Sequence, residues 1–91
     1  IALDAARQLY AQANFFIGLA SLYAIQAFDV AGMQTRKDCA GLATFAGIVT
    51  KGKAGITAGA SVQQATANQL LGVFSRMESF PAQARQAWKC R

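Results

Sequence analysis

The chain has 91 residues, 54% of them hydrophobic and 14% charged, which makes one domain, apolar enough to build a core and too apolar to stay disordered. It has no histidine, two cysteines and four acidic residues, Asp4, Asp29, Asp38 and Glu78. That leaves little material for a metal centre or for acid–base chemistry near neutral pH, so most enzyme classes are excluded and no cofactor is implied.

Twenty alanines and nine glutamines stand against a single proline, a strong helical bias. No run alternates apolar and polar residues as a half-buried strand does. The expected class is all-α: a single-domain bundle over 1–91 of about four helices, one long and central and three shorter. The chain begins at Ile1 rather than methionine, which suggests a mature product whose leader has been removed.

The first element is predicted from about Ala2 to Phe28 or Val30. Leu9, Phe16, Ile17 and Tyr23 follow helical spacing, and alanines recur at positions 6, 13, 20 and 27. An alanine row at heptad spacing admits a neighbouring helix closely, so this row is the expected seam against the rest of the bundle. Leu3, Phe15, Leu19, Leu22 and Ile25 lie outside it, which makes the helix apolar around much of its circumference. No charge falls between Arg7 and Asp29, a length that could cross a bilayer. The amides of Gln8, Gln12, Asn14 and Gln26 favour a bundle helix instead.

Thr35-Arg36-Lys37-Asp38 has the form of a capping box opening a second helix. Leu42, Phe45, Ala46 and Val49 give that helix a narrow apolar face, with Gly41 and Gly47 available for close contact. From Gly52 to Gly59 three glycines break the pattern, and the expectation there is a helix end followed by a mobile loop. Within it, Gly55 and Gly59 have the small-xxx-small spacing used where helices touch. Ser61 with Gln64 predicts another capping box, opening a helix whose inward stripe is Val62, Ala65 or Thr66, Leu70, Val73, Phe74 and Met77. Pro81 is expected to start a last short helix carrying Ala84, Ala87 and Trp88 inward.

Cys90 sits between Lys89 and Arg91, where a free thiol would be exposed and reactive. A bridge from Cys39 to Cys90 removes that liability, closes a loop of about 50 residues and stabilises the fold by roughly 4 kcal/mol on the chain-entropy account. It also implies an oxidising compartment, periplasmic or secreted.

Six of the nine Lys and Arg residues follow position 50. They are dispersed along helices rather than clustered with aromatics, which speaks against nucleic acid and for an acidic protein surface, with an anionic membrane surface as the alternative. Within that half, Lys51 and Lys53 flank a glycine ahead of Ile56, and a mobile apolar residue beside two cations is the expected docking element. Arg85 and Lys89 on the last helix are the next candidates.

The functional expectation is a non-catalytic protein-binding module of the bacterial cell envelope, of the immunity-protein, inhibitor or assembly-adaptor type. The alanine- and glutamine-rich, bridge-stapled composition is similar to that of periplasmic adaptors, secretin pilotins and toxin-immunity proteins. Two alternatives come from other classes. One is a membrane-embedded structural subunit with charge-free spans at 9–28 and 54–75. The other is a carrier of an apolar ligand between Phe15, Phe16, Phe45, Phe74 and Trp88. Self-association is compatible with the first reading.

Overall fold

The computed structural model describes residues 2–90; Ile1, on which the expectation of a removed leader is based, and Arg91, the last positive charge, lie outside them. Four α-helices follow one another: α1 (Leu3–Gln26), α2 (Val30–Arg36), α3 (Cys39–Ala58) and α4 (Gln64–Ala87), with a single 3₁₀ turn at Ala60–Val62 before α4. No strand occurs among the described residues. The all-α class stands, but three helices are long and one is short, and the central helix is α3, which packs against both α1 and α4. The result is a rod of 51 × 22 × 21 Å. Its radius of gyration is 15.3 Å, against about 12 Å for a compact domain of this length.

Local chemistry explains each boundary. Asp29 caps α2 by accepting from the Gly32 amide at 3.0 Å, and Asp38 caps α3 by accepting from the Gly41 amide at 2.9 Å. The expected box from Thr35 is therefore not formed. Thr35 lies inside α2, where its hydroxyl donates to the Ala31 carbonyl, and Asp38 is itself the cap. α2 ends on Lys37 in the left-handed conformation, φ 51°, with the Asp38 amide donating to Met33 and the Lys37 amide to Gln34. α4 ends the same way on Lys89, φ 57°, with the Cys90 amide donating to Arg85 and the Lys89 amide to Gln86. These are paired reverse turns of the kind that ordinarily favours glycine. One delivers Cys39 to the start of α3 and the other delivers Cys90 beyond α4.

The two cysteines form the expected disulfide, with 5.7 Å between their Cα atoms across a sequence separation of 51. Cys39 is exposed and Cys90 half-buried, so reductant reaches the bond without unfolding. Reduction is expected to lower the stability by up to about 4 kcal/mol and to raise amide exchange over the last turns of α4. Thermal midpoints that coincide with and without reductant would remove the bridge from the account of stability.

The core is Phe15, Ile25, Met33, Phe45, Val49, Ile56, Ala67 and Phe74. Leu42, Phe45 and Val49 face inward on α3 as expected. On α4 the buried positions Ala67, Phe74 and Pro81 recur every seven residues, joined by Ala84, with Leu70, Leu71, Met77, Phe80 and Trp88 packed half-buried beside them.

Four further expectations are corrected. Residues 52–58 are not a loop but the second half of α3. Gly52, Gly55 and the C-cap residue Gly59 fall at intervals of three and four; Gly55 and Gly59 lie against the backbone of α1, and Gly52 makes room for the Phe74 ring of α4 and for Ser21 of α1. A Cβ on Gly55 would sit 2.7 Å from the Asn14 carbonyl oxygen, and one on Gly59 would sit 2.5 Å from both the Ala11 carbonyl oxygen and the Phe15 nitrogen. Close packing of backbones offsets the roughly 1 kcal/mol that each glycine costs a helix. Gly47, expected at this contact, faces open space instead: a methyl group added there would meet nothing within 4 Å.

Ser61 does not open a helix either. It lies in the 3₁₀ turn, α4 starts at Gln64 without a side-chain cap, and Val62 is exposed. Finally, Pro81 lies inside a continuous α4 rather than at the start of a new helix. The ring removes one backbone donor, but aromatic packing holds the helix on both sides of it. Phe80 meets Phe45 edge-on at 5.6 Å and Trp88 at 6.2 Å, and Phe45 meets Phe28 at 5.4 Å.

Candidate interaction surface

Two apolar faces run along α1, and only one is buried. Ala11, Phe15, Gly18, Ser21 and Ile25 point into the bundle. At Gly18 the space of a side chain is filled by the Ile56 side chain of α3. Ser21 is buried with its hydroxyl donating to the Ile17 carbonyl at 2.8 Å, so it brings no unsatisfied group inside.

The alanine row at 6, 13, 20 and 27 lies on the other side and is exposed along its whole length. This reverses the expected direction of the seam. Two steps along an α-helix turn about 200°, so Ala11 and Ala13 face opposite ways, and the glycine face of α3 selects the side carrying Gly18. A larger side chain at Ala11, not at Ala20, meets a neighbour within the chain.

Around the exposed alanines stand the largest exposed apolar residues of the protein. Phe16 is 68% exposed and Tyr23 76%, with Leu3, Leu9, Tyr10 and Ile17 beside them. Positions 6, 9, 13, 16, 20, 23 and 27 advance by three and four in turn, the spacing of a coiled-coil seam. Small and large side chains alternate along it: alanine, leucine, alanine, phenylalanine, alanine, tyrosine, alanine. Tyr10 and Ile17 flank the seam, and no charge interrupts it between Arg7 and Asp29.

The residues singled out for partner binding are not gathered into one site. Ile56 is fully buried, 0% exposed, and belongs to the core rather than to a mobile loop. Lys53 is half-buried and reaches across from α3 to α4, its Nζ 3.0 Å from Glu78 Oε1. Partly exposed pairs of this kind contribute at most about 1 kcal/mol. Lys51 is exposed on α3. Arg85 is exposed on α4 and borders a half-open groove of about 410 Å³ with Cys39, Leu42, Pro81 and Cys90. Lys89 is exposed, and its backbone forms the left-handed cap that places Cys90.

Nor do the aromatic residues expected around an apolar ligand line a common cavity. Phe15, Phe45 and Phe74 are core, Trp88 packs on Phe80, and Phe16 faces solvent. The stretch 54–75, expected as a second membrane span, turns a corner at Gly59–Gln63 between α3 and α4. Among the described residues no single helix is long and apolar enough to cross a membrane; α1 and α2 pass that test only as a pair, bent by 58° at their junction.

Comparison of the chain with known protein families, with curated proteins and with solved structures gives no match. What the protein does has to be read from its own surface. The signal for the α1 face is present in the residues, since the heptad alanines are recognisable as a seam. What the residues alone do not supply is which of two apolar faces the rest of the chain covers.

Proposed function

We propose that this chain is a non-catalytic protein-binding module of the bacterial cell envelope, periplasmic or secreted, and that recognition runs through the outer face of α1. The observation that carries this reading is the uncharged seam on which Leu9, Phe16 and Tyr23 stand exposed among alanines. A protein that works alone rarely leaves a contiguous apolar face of this size in water. Aromatic anchors in a shallow groove are what protein interfaces use at their centres.

The disulfide supports an oxidising compartment, and the absence of histidine from the sequence supports a binding rather than a catalytic role. Lys51, Arg85 and Lys89, dispersed and exposed, are placed to steer an acidic partner during encounter more than to anchor it.

A photo-reactive amino acid placed at Phe16, with the same group at Thr50 on the exposed side of α3 as control, tests the reading in the native envelope. Cross-links to protein are expected from position 16 and not from position 50. Cross-links confined to lipid, or equal yields from the two positions, would overturn it.

A further inference from the structure

We propose that the occupant of the α1 face is a second copy of this chain, with the two α1 helices packed antiparallel about a two-fold axis. The proposal rests on the reading of that face as a protein-binding surface and names its partner.

The argument begins with the alternation of side-chain size. In the seam, alanine occupies one of the two core positions of every heptad, at 6, 13, 20 and 27, and a large apolar residue occupies the other, at 9, 16 and 23. In a parallel pair, like positions meet. Alanine would then face alanine and leave a gap, while phenylalanine would face phenylalanine and hold the helices apart.

Reversing one helix brings the two kinds of position together. In the register of greatest overlap, Ala13 lies level with Phe16 of the second copy, Ala20 with Leu9 and Ala6 with Tyr23. The two-fold axis generates the same three layers again. Each layer then holds one small and one large side chain, so its volume is nearly constant and the backbones approach evenly. The surface is complementary to itself, as an isologous dimer interface requires.

Area and charge agree with this occupant. The exposed parts of Leu9, Tyr10, Phe16, Ile17 and Tyr23 with the alanine row amount to roughly 700 Å² of mainly apolar surface, close to the ~800 Å² that each partner brings to a stable interface. Two chains each carrying a net +5 repel except where their faces are uncharged, and the face from Leu9 to Tyr23 carries no charge at all. A helix that lies on an anionic bilayer has lysines and arginines bordering its apolar face; α1 has none after Arg7.

The register makes the proposal testable by charge exchange. Positions 9 and 20 are exposed, so charges there spare the monomer fold. They lie about 16 Å apart along one helix, too far to pair within a copy, yet they meet across the antiparallel dimer. Leu9→Glu and Ala20→Lys are made singly and together, and association is followed by sedimentation velocity over micromolar to millimolar concentration, with helicity checked by circular dichroism.

The unaltered chain is expected to sediment as a dimer. Each single variant should raise the dissociation constant at least tenfold, while the double variant, and an equimolar mixture of the two singles, should recover most of that loss. A wild-type chain that stays monomeric throughout overturns the proposal, and so does a double variant that associates no better than the singles, since a parallel pair would set like charges opposite each other. If the monomeric chain floats with anionic phospholipid vesicles, the face belongs to a membrane. If it is monomeric but cross-links from position 16 to a different protein, the binding function stands and self-pairing falls.

Discussion

Replacing Ile56 with aspartate is expected to unfold the domain. The side chain is 0% exposed and fills the space beside Gly18 where α1 and α3 touch. Losing its burial removes about 1.5–3 kcal/mol. Leaving a carboxylate in its place adds several kcal/mol more, because the position is closed to water. The total is comparable with the whole stability of a small domain, about 5–15 kcal/mol. Circular dichroism and one-dimensional proton spectra of Ile56→Asp should show loss of cooperative unfolding and of dispersed methyl signals. Ile56→Val should remain folded, with a loss of roughly 0.5–1.5 kcal/mol. A well-folded aspartate variant would return residues 52–58 to the status of a surface connector. Lys51→Glu, five residues earlier and exposed, should shift stability by no more than about 0.5 kcal/mol.

Ile56 also shows where the sequence is readable and where it is not. The helical class and the inward face at Leu42, Phe45 and Val49 follow from local chemistry, which is written in neighbouring residues, and the Cys39–Cys90 bridge follows from the exposed setting of Cys90, whereas the cap of α3 falls on Asp38 rather than on the expected Thr35. The glycine segment misleads because glycine is read first as a helix breaker. Its spacing of three and four, without an accompanying proline or asparagine, is the sign of a contact face. Pro81 misleads in the same way, since what carries α4 past it is the packing of Phe80 against Phe45 and of Trp88 against Phe80. The first of these joins residues distant along the chain, and local preference gives way to such contacts.

The same logic governs α1. A helix with apolar residues on both sides can present either to its neighbours, and its own composition does not choose. The choice is made by the end of α3, where Gly55 and Gly59 admit the backbone of α1 on the side carrying Ala11 and Gly18, and Gly52 leaves room for Ser21 of α1 and Phe74 of α4. The seam of Ala6, Ala13 and Ala20 is thereby left to whatever binds from outside. The glycines of one helix thus fix both the interior of the domain and the surface through which it is proposed to act.

That dependence gives the second large effect. Gly55→Ala and Gly59→Ala are each expected to destabilise the fold by about 1–3 kcal/mol, although at Gly55, inside α3, alanine improves helix propensity by up to ~1 kcal/mol. At Gly55 the added methyl meets the Asn14 carbonyl oxygen at 2.7 Å and the Gly18 nitrogen at 3.0 Å; at Gly59 it meets the Ala11 carbonyl oxygen and the Phe15 nitrogen, both at 2.5 Å. All four are backbone atoms of α1, which cannot swing aside as a side chain can, so the two helices have to separate along their contact. Neither glycine has a positive φ, so the loss is steric rather than conformational. Gly47→Ala is the matched control: it lies in the same helix, its added methyl meets nothing within 4 Å, and the substitution should stabilise the protein by up to ~1 kcal/mol. Urea denaturation of the three variants should therefore give one sign for Gly47→Ala and the opposite sign for Gly55→Ala in the same helix and for Gly59→Ala at its end. If all three alanines stabilise, α1 and α3 are not in backbone contact, and the face of α1 assigned to solvent would have to be assigned again.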